Sequence, residues 1–169
     1  ELSFHAGPDA IGGSLKMLVK HADEGIALLA LALAKPRLDP DAIERVRGQV
    51  IAGLRYQQND PGVLASRRFF KEAFAGHAYA RPSSGTVESV ATITRDDLLA
   101  MHARIIGRGR VKVAAVGAIG AEQLAEGLNR AFGSLPEAGE LKAVPRTEVQ
   151  DLGRRIVVDL DVPQSVIRF

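Results

Sequence analysis

The sequence predicts an α+β fold, because two strand-like segments at its start are followed by a series of helices and then by short apolar segments typical of strands. Residues 2–6 and 13–19 are the first two predicted strands, and Gly-Pro-Asp at 7–9 is typical of the turn between them. Residues 22–34 are predicted to form a helix. It is apolar on nearly every side, so we expect it to pack on two faces.

A second helix is predicted to begin after Asp39, a favourable N-cap residue, with Pro40 at its first helical position. Spacings of three and four residues predict its buried stripe, which consists of Ile43, Val46, Val50 and Leu54. Asp60 and Pro61 repeat the same start signal for a third helix, which is predicted to end near Phe74.

Two more helices are predicted further along the chain. Thr94 is the expected N-cap of the first, and its inner face is predicted to consist of Leu98, Met101 and Ile105. The second covers residues 123–132, with Leu124, Leu128 and Phe132 facing inward. Three apolar segments are predicted strands: 111–116, which should be buried, 156–160 and 165–169. Residues 136–151 are polar, contain two prolines and have no clear period, which predicts a linker.

Composition excludes several functional classes. The chain has 169 residues, of which 46% are hydrophobic and 25% charged, as expected for a globular protein. Its 22 basic and 20 acidic residues are interleaved, so we expect no nucleic-acid-binding surface. The absence of cysteine excludes disulfides, thiolate zinc sites and a cysteine nucleophile. The longest apolar run, residues 26–34, is too short for a membrane span.

The ends of the sequence suggest a piece of a longer protein. There is no initiator Met, and both ends lie within strand-like patterns, where natural domains seldom begin or end. We therefore expect further sequence upstream, which could include a signal peptide.

The four histidines do not predict a metal site. A zinc-binding helix needs two histidines four positions apart, because that spacing directs both imidazoles to one ion. His5, His21, His77 and His102 contain no such pair. His21 and Glu24 come nearest, but Gly25 stands where the second histidine would be, and a helix start with acidic residues in its first turn is the better interpretation.

The paired carboxylates are likewise predicted to have a structural or solvent-exposed role and not a catalytic one. Asp96 and Asp97 are adjacent in a first helical turn and point to different faces. Asp159 and Asp161 would share one face of a strand, but no other element supplies an identifiable partner. We therefore predict no catalytic residue and no metal ligand in this chain.

A loop rich in Gly and Pro carries the most suggestive polar side chains: His77, Tyr79 and Arg81. One interpretation is a loop that contacts substrate or another subunit. The alternative is that a buried polar residue anchors a long connection onto the helices.

Five short motifs follow one another along the chain: Phe-Ala-Gly-His-Ala-Tyr-Ala-Arg-Pro at 74–82, Gly-Thr-Val-Glu-Ser at 85–89, Ile-Thr-Arg-Asp-Asp-Leu at 93–98, Lys-Val-Ala-Ala-Val-Gly at 112–117 and Phe-Gly-Ser-Leu-Pro at 132–136. In their order and spacing they resemble the insulinase/mitochondrial-processing-peptidase family of zinc peptidases. The resemblance covers nearly the whole chain. It implies a metallohydrolase-like α+β domain with an antiparallel sheet packed against helices. On this basis residues 1–135 are the second part of a first domain, 136–153 a linker and 154–169 the start of a second domain.

The resemblance also implies a non-catalytic role. Active members bind zinc through an inverted His-x-x-Glu-His motif on an early helix and a Glu on a later helix, and this chain would begin after the first motif. The later helix corresponds to residues 45–55, and the position of the Glu ligand falls on Gly53, preceded by Ala52. Neither residue can bind a metal, so the resemblance implies a member of the "inactive domain" type.

Three functions follow as alternatives from this resemblance. The favoured one is a non-catalytic segment or subunit that supports peptide binding and proteolysis by a zinc-bearing subunit, or by a second domain of the same chain. The second is a fragment of an active zinc metalloendopeptidase whose His-x-x-Glu-His motif lies upstream. The third is a structural subunit of the respiratory-complex core-protein type. Zinc is expected only in an active partner or in the missing upstream part, and export of many bacterial relatives favours the periplasm.

Overall fold

The structure is a computed structural model that describes residues 1–137, 141–150 and 153–169. The chain forms two units: unit 1 contains Glu1–Leu38 and Arg95–Lys142, and unit 2 contains Asp39–Thr94 and Ala143–Phe169. The strands are β1 (Leu2–Ala6) and β2 (Ile11–Leu15). The helices are α1 (Ala22–Ala34), α2 (Pro40–Tyr56), α3 (Pro61–Ala73), α4 (Val87–Thr92), α5 (Arg95–Ile105) and α6 (Ala121–Phe132).

In unit 1, β1 and β2 form an antiparallel hairpin in which Leu2 lies opposite Leu15 and Ala6 opposite Ile11. The turn closes when the Gly7 amide donates to the Ala10 carbonyl, 2.8 Å away. Pairing therefore starts at Ile11, and β2 begins and ends earlier than the predicted strand 13–19. The helices together with this antiparallel sheet confirm the predicted α+β class.

The core of unit 1 lies where α1 packs against α6. Ile26 on α1 is 8% exposed, and Gly127 and Ala131 are buried on α6. The two helices approach closely, because a Cβ added at Gly127 would lie 2.7 Å from Cδ1 of Ile26. An exposed ion pair joins the same helices, with Arg130 Nη2 2.6 Å from Asp23 Oδ1. The predicted bounds of α1 are confirmed, and the predicted inward residues of α6 are partly buried.

Side chains of α5 bind main-chain carbonyl groups within unit 1. His102 Nε2 lies 2.8 Å from the Leu33 carbonyl oxygen near the end of α1, so the imidazole donates its Nε2–H there. Arg95 donates through Nε to the Leu38 carbonyl at 3.0 Å and through Nη2 to the Arg37 carbonyl at 3.2 Å. Leu38 has a positive φ of 47°, unusual for a residue other than glycine, and Arg95 binds this stretch of backbone.

In unit 2, Arg47 of α2 fixes the short helix α4. Its guanidinium donates to the carbonyl oxygens of Val90 at 2.5 Å and Ile93 at 2.6 Å, at the C-terminal end of α4. These carbonyl groups have no partner within their helix, so a cation there satisfies them and also opposes the negative end of the helix dipole. Leu54 of α2 is 4% exposed and Val90 is 9% exposed.

The helix starts in unit 2 use side-chain caps. Asp60 accepts a hydrogen bond from the Val63 amide at 2.9 Å and caps α3, as predicted. At α4, which the sequence analysis missed, Thr86 and Ser89 form a capping box. The Gly85 φ of 73° turns the chain into this start, in the left-handed region that glycine adopts without strain.

Two predicted buried faces are confirmed in part. Ile43 and Leu54 on α2, and Leu98 and Ile105 on α5, are buried or partly buried, but the other predicted residues are exposed. On α2, Val46 is 48% and Val50 37% exposed, while Arg47 and Ile51 are partly buried beside Leu54. On α5, Met101 is 45% exposed and His102 is partly buried instead. In both helices a polar side chain takes the inward position because a carbonyl oxygen accepts its hydrogen bond.

Three predicted strands are also wrong. Residues 111–116, 156–160 and 165–169 have no regular secondary structure. Most of their apolar side chains are exposed, with Val116 at 103%, Ile167 at 81% and Phe169 at 102%, while Ile156 and Leu160 are partly buried. In the described ranges β1 and β2 pair only with each other, so these segments lack the neighbouring strand that a sheet requires.

The predicted linker, residues 136–151, includes residues 138–140 and 151, which lie outside the described part of the chain. Residues 141–150 contain no helix or strand. Among the described helices, none is both long enough and apolar enough to span a bilayer.

Two glycines on helices test this packing. A Cβ at Gly53 would meet no heavy atom within 4 Å, whereas one at Gly127 would approach Cδ1 of Ile26 at 2.7 Å. Gly53→Ala should raise the free energy of unfolding by about 0.5–1 kcal/mol, because alanine is the better helix former. Gly127→Ala should be less stable than Gly53→Ala, because its Cβ must displace Cδ1 of the buried Ile26, and overpacking of this kind opposes the gain in helix propensity. Denaturant unfolding of both variants checks the pair, and a Gly127→Ala variant as stable as Gly53→Ala would contradict the packing of α1 on α6.

The start of α4 predicts a pH effect. The carboxylate of Glu88 accepts a hydrogen bond from its own backbone N–H and another from the Thr86 side chain, and these lower the pKa of Glu88 below its usual value. Because the folded-state pKa is lowered, the ionised carboxylate stabilises the fold above the usual Glu pKa, and this is lost as pH falls through the folded-state pKa.

Glu88→Gln should therefore be less stable than the wild type at neutral pH, and the difference should disappear on acidification. Unfolding at a series of pH values measures this, with Glu126→Gln on α6 as the matched loss of one exposed carboxylate. A difference for Glu88→Gln that stays constant down to acidic pH would contradict the proposed hydrogen bonds.

Candidate functional site

The loop after α3 carries the predicted site residues, and its backbone is built from local hydrogen bonds. The His77 amide donates to the Phe74 carbonyl at 2.9 Å, and Gly76 between them has a φ of 79°, which favours glycine. A single 3-10 turn, Ala78–Ala80, follows directly. The short reversal aims the His77 side chain into unit 2, where the residue is 8% exposed.

Both ring nitrogens of His77 are engaged. Nδ1 lies 3.2 Å from the Tyr79 amide nitrogen and accepts its hydrogen bond, which caps the 3-10 turn. Nε2 lies 3.0 Å from the Pro145 carbonyl oxygen. A carbonyl can only accept and a backbone amide can only donate, so the neutral ring with its hydrogen on Nε2 satisfies both contacts.

A series of aromatic contacts leads from this imidazole to the C-terminal end of α3. The His77 and Tyr79 rings meet edge to face with centroids 4.7 Å apart, and Tyr79 meets Phe74 in the same way at 5.5 Å. Phe74 stacks on Phe70 at 5.7 Å, and Phe70 contacts Phe69 at 5.5 Å. Such pairs stabilise a fixed arrangement of rings beyond the area that they bury. The loop is therefore held against the C-terminal end of α3.

The structure brings His77 and Tyr79 together and leaves Arg81 apart from them on the surface. His77 is buried and Tyr79 partly buried, whereas Arg81 is exposed. The hydrogen bond to Pro145 matches the alternative interpretation of His77 as an anchor for a long connection. Contact of His77, Tyr79 and Arg81 with a substrate or a subunit stays a prediction.

The C-terminal part of unit 2 contacts α3 at three places. After Pro145, the Gln150 amide donates to the Ala73 carbonyl at 2.9 Å. Further on, Arg154 Nη1 lies 3.5 Å from Glu72 Oε2, and Arg168 Nη2 donates to Ser66 Oγ at 3.1 Å. Successive contacts move towards the start of α3 as the chain proceeds. The sequence analysis missed this track, since single polar contacts leave no periodic pattern.

The other predicted candidates remain separate from this loop. His21 Nδ1 lies 3.0 Å from Glu24 Oε2 in an exposed pair, and His5 is exposed on β1. Asp159 and Asp161 are both exposed. Across residues 1–137, 141–150 and 153–169, no group of three His, Asp or Glu side chains could hold a metal ion. The expectation that zinc belongs to an active partner or to upstream sequence stays a prediction.

The position predicted for the third zinc ligand lies on α2. Gly53 is in the last part of this helix, three residues before its end at Tyr56. It is exposed, and no heavy atom lies within 4 Å of where its Cβ would be. Packing in the described part of the chain therefore does not require glycine here, and a longer side chain would fit.

Comparison with known proteins identifies the family. Residues 92–169 match the sequence model of the peptidase M16 inactive domain. The non-peptidase homolog YmxG of Helicobacter pylori is 30% identical over 156 residues, which cover 92% of this chain and 36% of that protein. An uncharacterized zinc protease of Mycobacterium leprae is 27% identical over 151 residues, with 82% of this chain and 34% of that protein covered.

A solved structure shows the same fold. The crystal structure of a peptidase M16 inactive domain from Pseudomonas fluorescens superimposes with a TM-score of 0.78 at 28% identity, covering 86% of this chain and 36% of that one. The chain thus spans about a third of the length of the proteins that it matches. These matches confirm the resemblance that the motifs indicated. The chain belongs to the peptidase M16 family, and its residues 92–169 match the family's inactive domain.

Proposed function

We propose that this chain is part of a non-catalytic M16 protein that helps a zinc-bearing subunit, or a zinc-bearing second domain, to bind and cleave peptides. One observation carries the proposal: α2 is fully formed and Gly53 stands where the family resemblance places a metal-binding Glu. A catalytic zinc site of this kind uses three protein ligands and a water, so loss of one carboxylate removes a ligand that the metal needs.

The surroundings of Gly53 support this interpretation. A carboxylate there would not be excluded by packing, because the space next to its Cβ position is open. The chain therefore keeps the helix and the room for a ligand but lacks the ligand. A scaffold retained without its chemical group is better suited to forming a surface than to catalysis. The name of the Helicobacter pylori relative, a non-peptidase homolog, agrees with this.

Exposed apolar side chains supply a surface for a partner. On α2, Val46 and Val50 are 48% and 37% exposed, and on α1, Leu28 and Leu31 are 55% and 59% exposed. Side chains of this kind on helices mark contact surfaces when they are grouped. We propose that each of these faces can contact the zinc-bearing subunit or domain, and that the peptide substrate is bound between this chain and that partner.

A second candidate is an active zinc peptidase whose His-x-x-Glu-His motif lies upstream. The zinc-protease name of the Mycobacterium leprae relative favours it. Gly53 opposes it, because that site would still lack its third protein ligand. The sequence upstream of Glu1 distinguishes the two candidates.

The proposal predicts that this protein stimulates a partner. Adding the full-length protein to a family member with an intact zinc motif should raise peptide turnover, because this protein would complete the surface that binds the peptide. Activity is measured as turnover of a quenched fluorescent peptide while this protein is titrated into the partner. Association is measured by size-exclusion chromatography of the mixture at micromolar concentration.

Gly53→Glu is the matched control for chemistry. On the proposal that the protein is non-catalytic, the variant should remain inactive by itself, because one added carboxylate does not supply the two histidines and the general base of a zinc site, and it should stimulate the partner like the wild type. Equal partner activity with and without this protein, together with no complex on sizing, would contradict the proposal.

A further inference from the structure

Residues 143–150, here called the strap, contain no helix or strand but have two defined attachment points in unit 2. The first is the Pro145 carbonyl, 3.0 Å from His77 Nε2. The second is the Gln150 amide, which donates to the Ala73 carbonyl at 2.9 Å. His77 lies in the loop after α3, and Ala73 is the last residue of α3. Both attachment points are therefore at the C-terminal end of this helix.

The two attachments differ in character. Gln150 itself is exposed, so water competes for its backbone hydrogen bond. His77 is the only polar or charged residue that is buried in the described ranges, and its Nε2–H would have no acceptor if Pro145 moved away. A buried donor without a partner is costly, so this contact holds the strap more strongly than a surface contact would.

We propose that the strap docks on and leaves the end of α3 as one unit, with the His77 imidazole as its latch. In the docked state, the Pro145 carbonyl accepts a hydrogen bond from Nε2–H of His77. When undocked, the strap uncovers His77, and the Gln150 amide loses its bond to Ala73 in the same step. The latch controls whether this face of the loop is closed by the chain itself or open to another molecule.

Two substitutions of His77 distinguish the hydrogen bond at Nδ1 from the hydrogen bond at Nε2. In His77→Asn, the side-chain oxygen lies near the position of Nδ1 and can still accept from Tyr79, but no atom reaches Pro145. In His77→Gln, the longer side chain places an amide donor near the position of Nε2, so the contact with Pro145 can be kept. The conservative variant thus tests rescue of the latch itself.

Hydrogen exchange of single amides, measured by NMR in the full chain, tests the proposal. The Gln150 amide reports docking five residues away from the latch. The Val63 amide, bonded to Asp60 Oδ1 at 2.9 Å, reports opening at the other end of α3, away from the strap. The ratio of the two exchange rates separates an effect at the strap from one that reaches the whole of α3.

In His77→Asn the Gln150-to-Val63 ratio should rise about three- to tenfold, which is the effect of losing one buried hydrogen bond. In His77→Gln it should stay within about twofold of the wild type. An unchanged ratio in His77→Asn would show that the strap does not move as a unit. An equal rise in both variants would show that the imidazole acts through packing, and either result overturns the proposal.

Discussion

Hydrogen bonds from cationic and imidazole side chains to main-chain carbonyl groups hold the elements of each unit together. Only six hydrophobic residues are buried in the described part of the chain, so apolar packing alone fixes few elements. Carbonyl groups at helix ends have no partner within the helix and accept such bonds readily. Arg47 binds two of them at the end of α4, and His102 binds one near the end of α1.

These contacts explain which helices form a pair. In unit 1 the close approach at Gly127 allows α6 to lie on α1, and His102 attaches α5 to the same helix. In unit 2 Arg47 joins α4 to α2, and His77 joins the strap to the end of α3. Each of these contacts requires a donor aimed at a carbonyl oxygen, so a replacement keeps the contact only if it places a donor at the same position.

The sequence was sufficient for features that depend on neighbouring residues. The bounds of α1 and the cap of α3 at Asp60 follow from local signals, and both are present. It was insufficient where distant residues decide. Periodicity counts only apolar side chains, so it placed Val46 and Met101 inside, whereas Arg47 and His102 occupy those faces because carbonyl groups elsewhere in the chain bind them.

The predicted strands that did not form show even more clearly that local patterns miss contacts with distant residues. Residues 111–116 have the composition of a buried strand, but a strand needs a partner, and composition does not show whether one is available. For the site, the loop was found from its Gly, Pro and polar residues. The contact of His77 with Pro145, 68 positions away, could not be found, because no local pattern encodes it.

The functional account depends on Gly53. At this position α2 is continuous and the space around a Cβ is open, but there is no carboxylate to bind a metal. Zinc content tests it most directly. After chelator washing, the full-length protein alone and in complex with a zinc-motif-bearing family member would be measured by elemental analysis. The account predicts zinc in the complex, in proportion to the partner, and none retained by this protein alone. Stoichiometric zinc in this protein alone would contradict it.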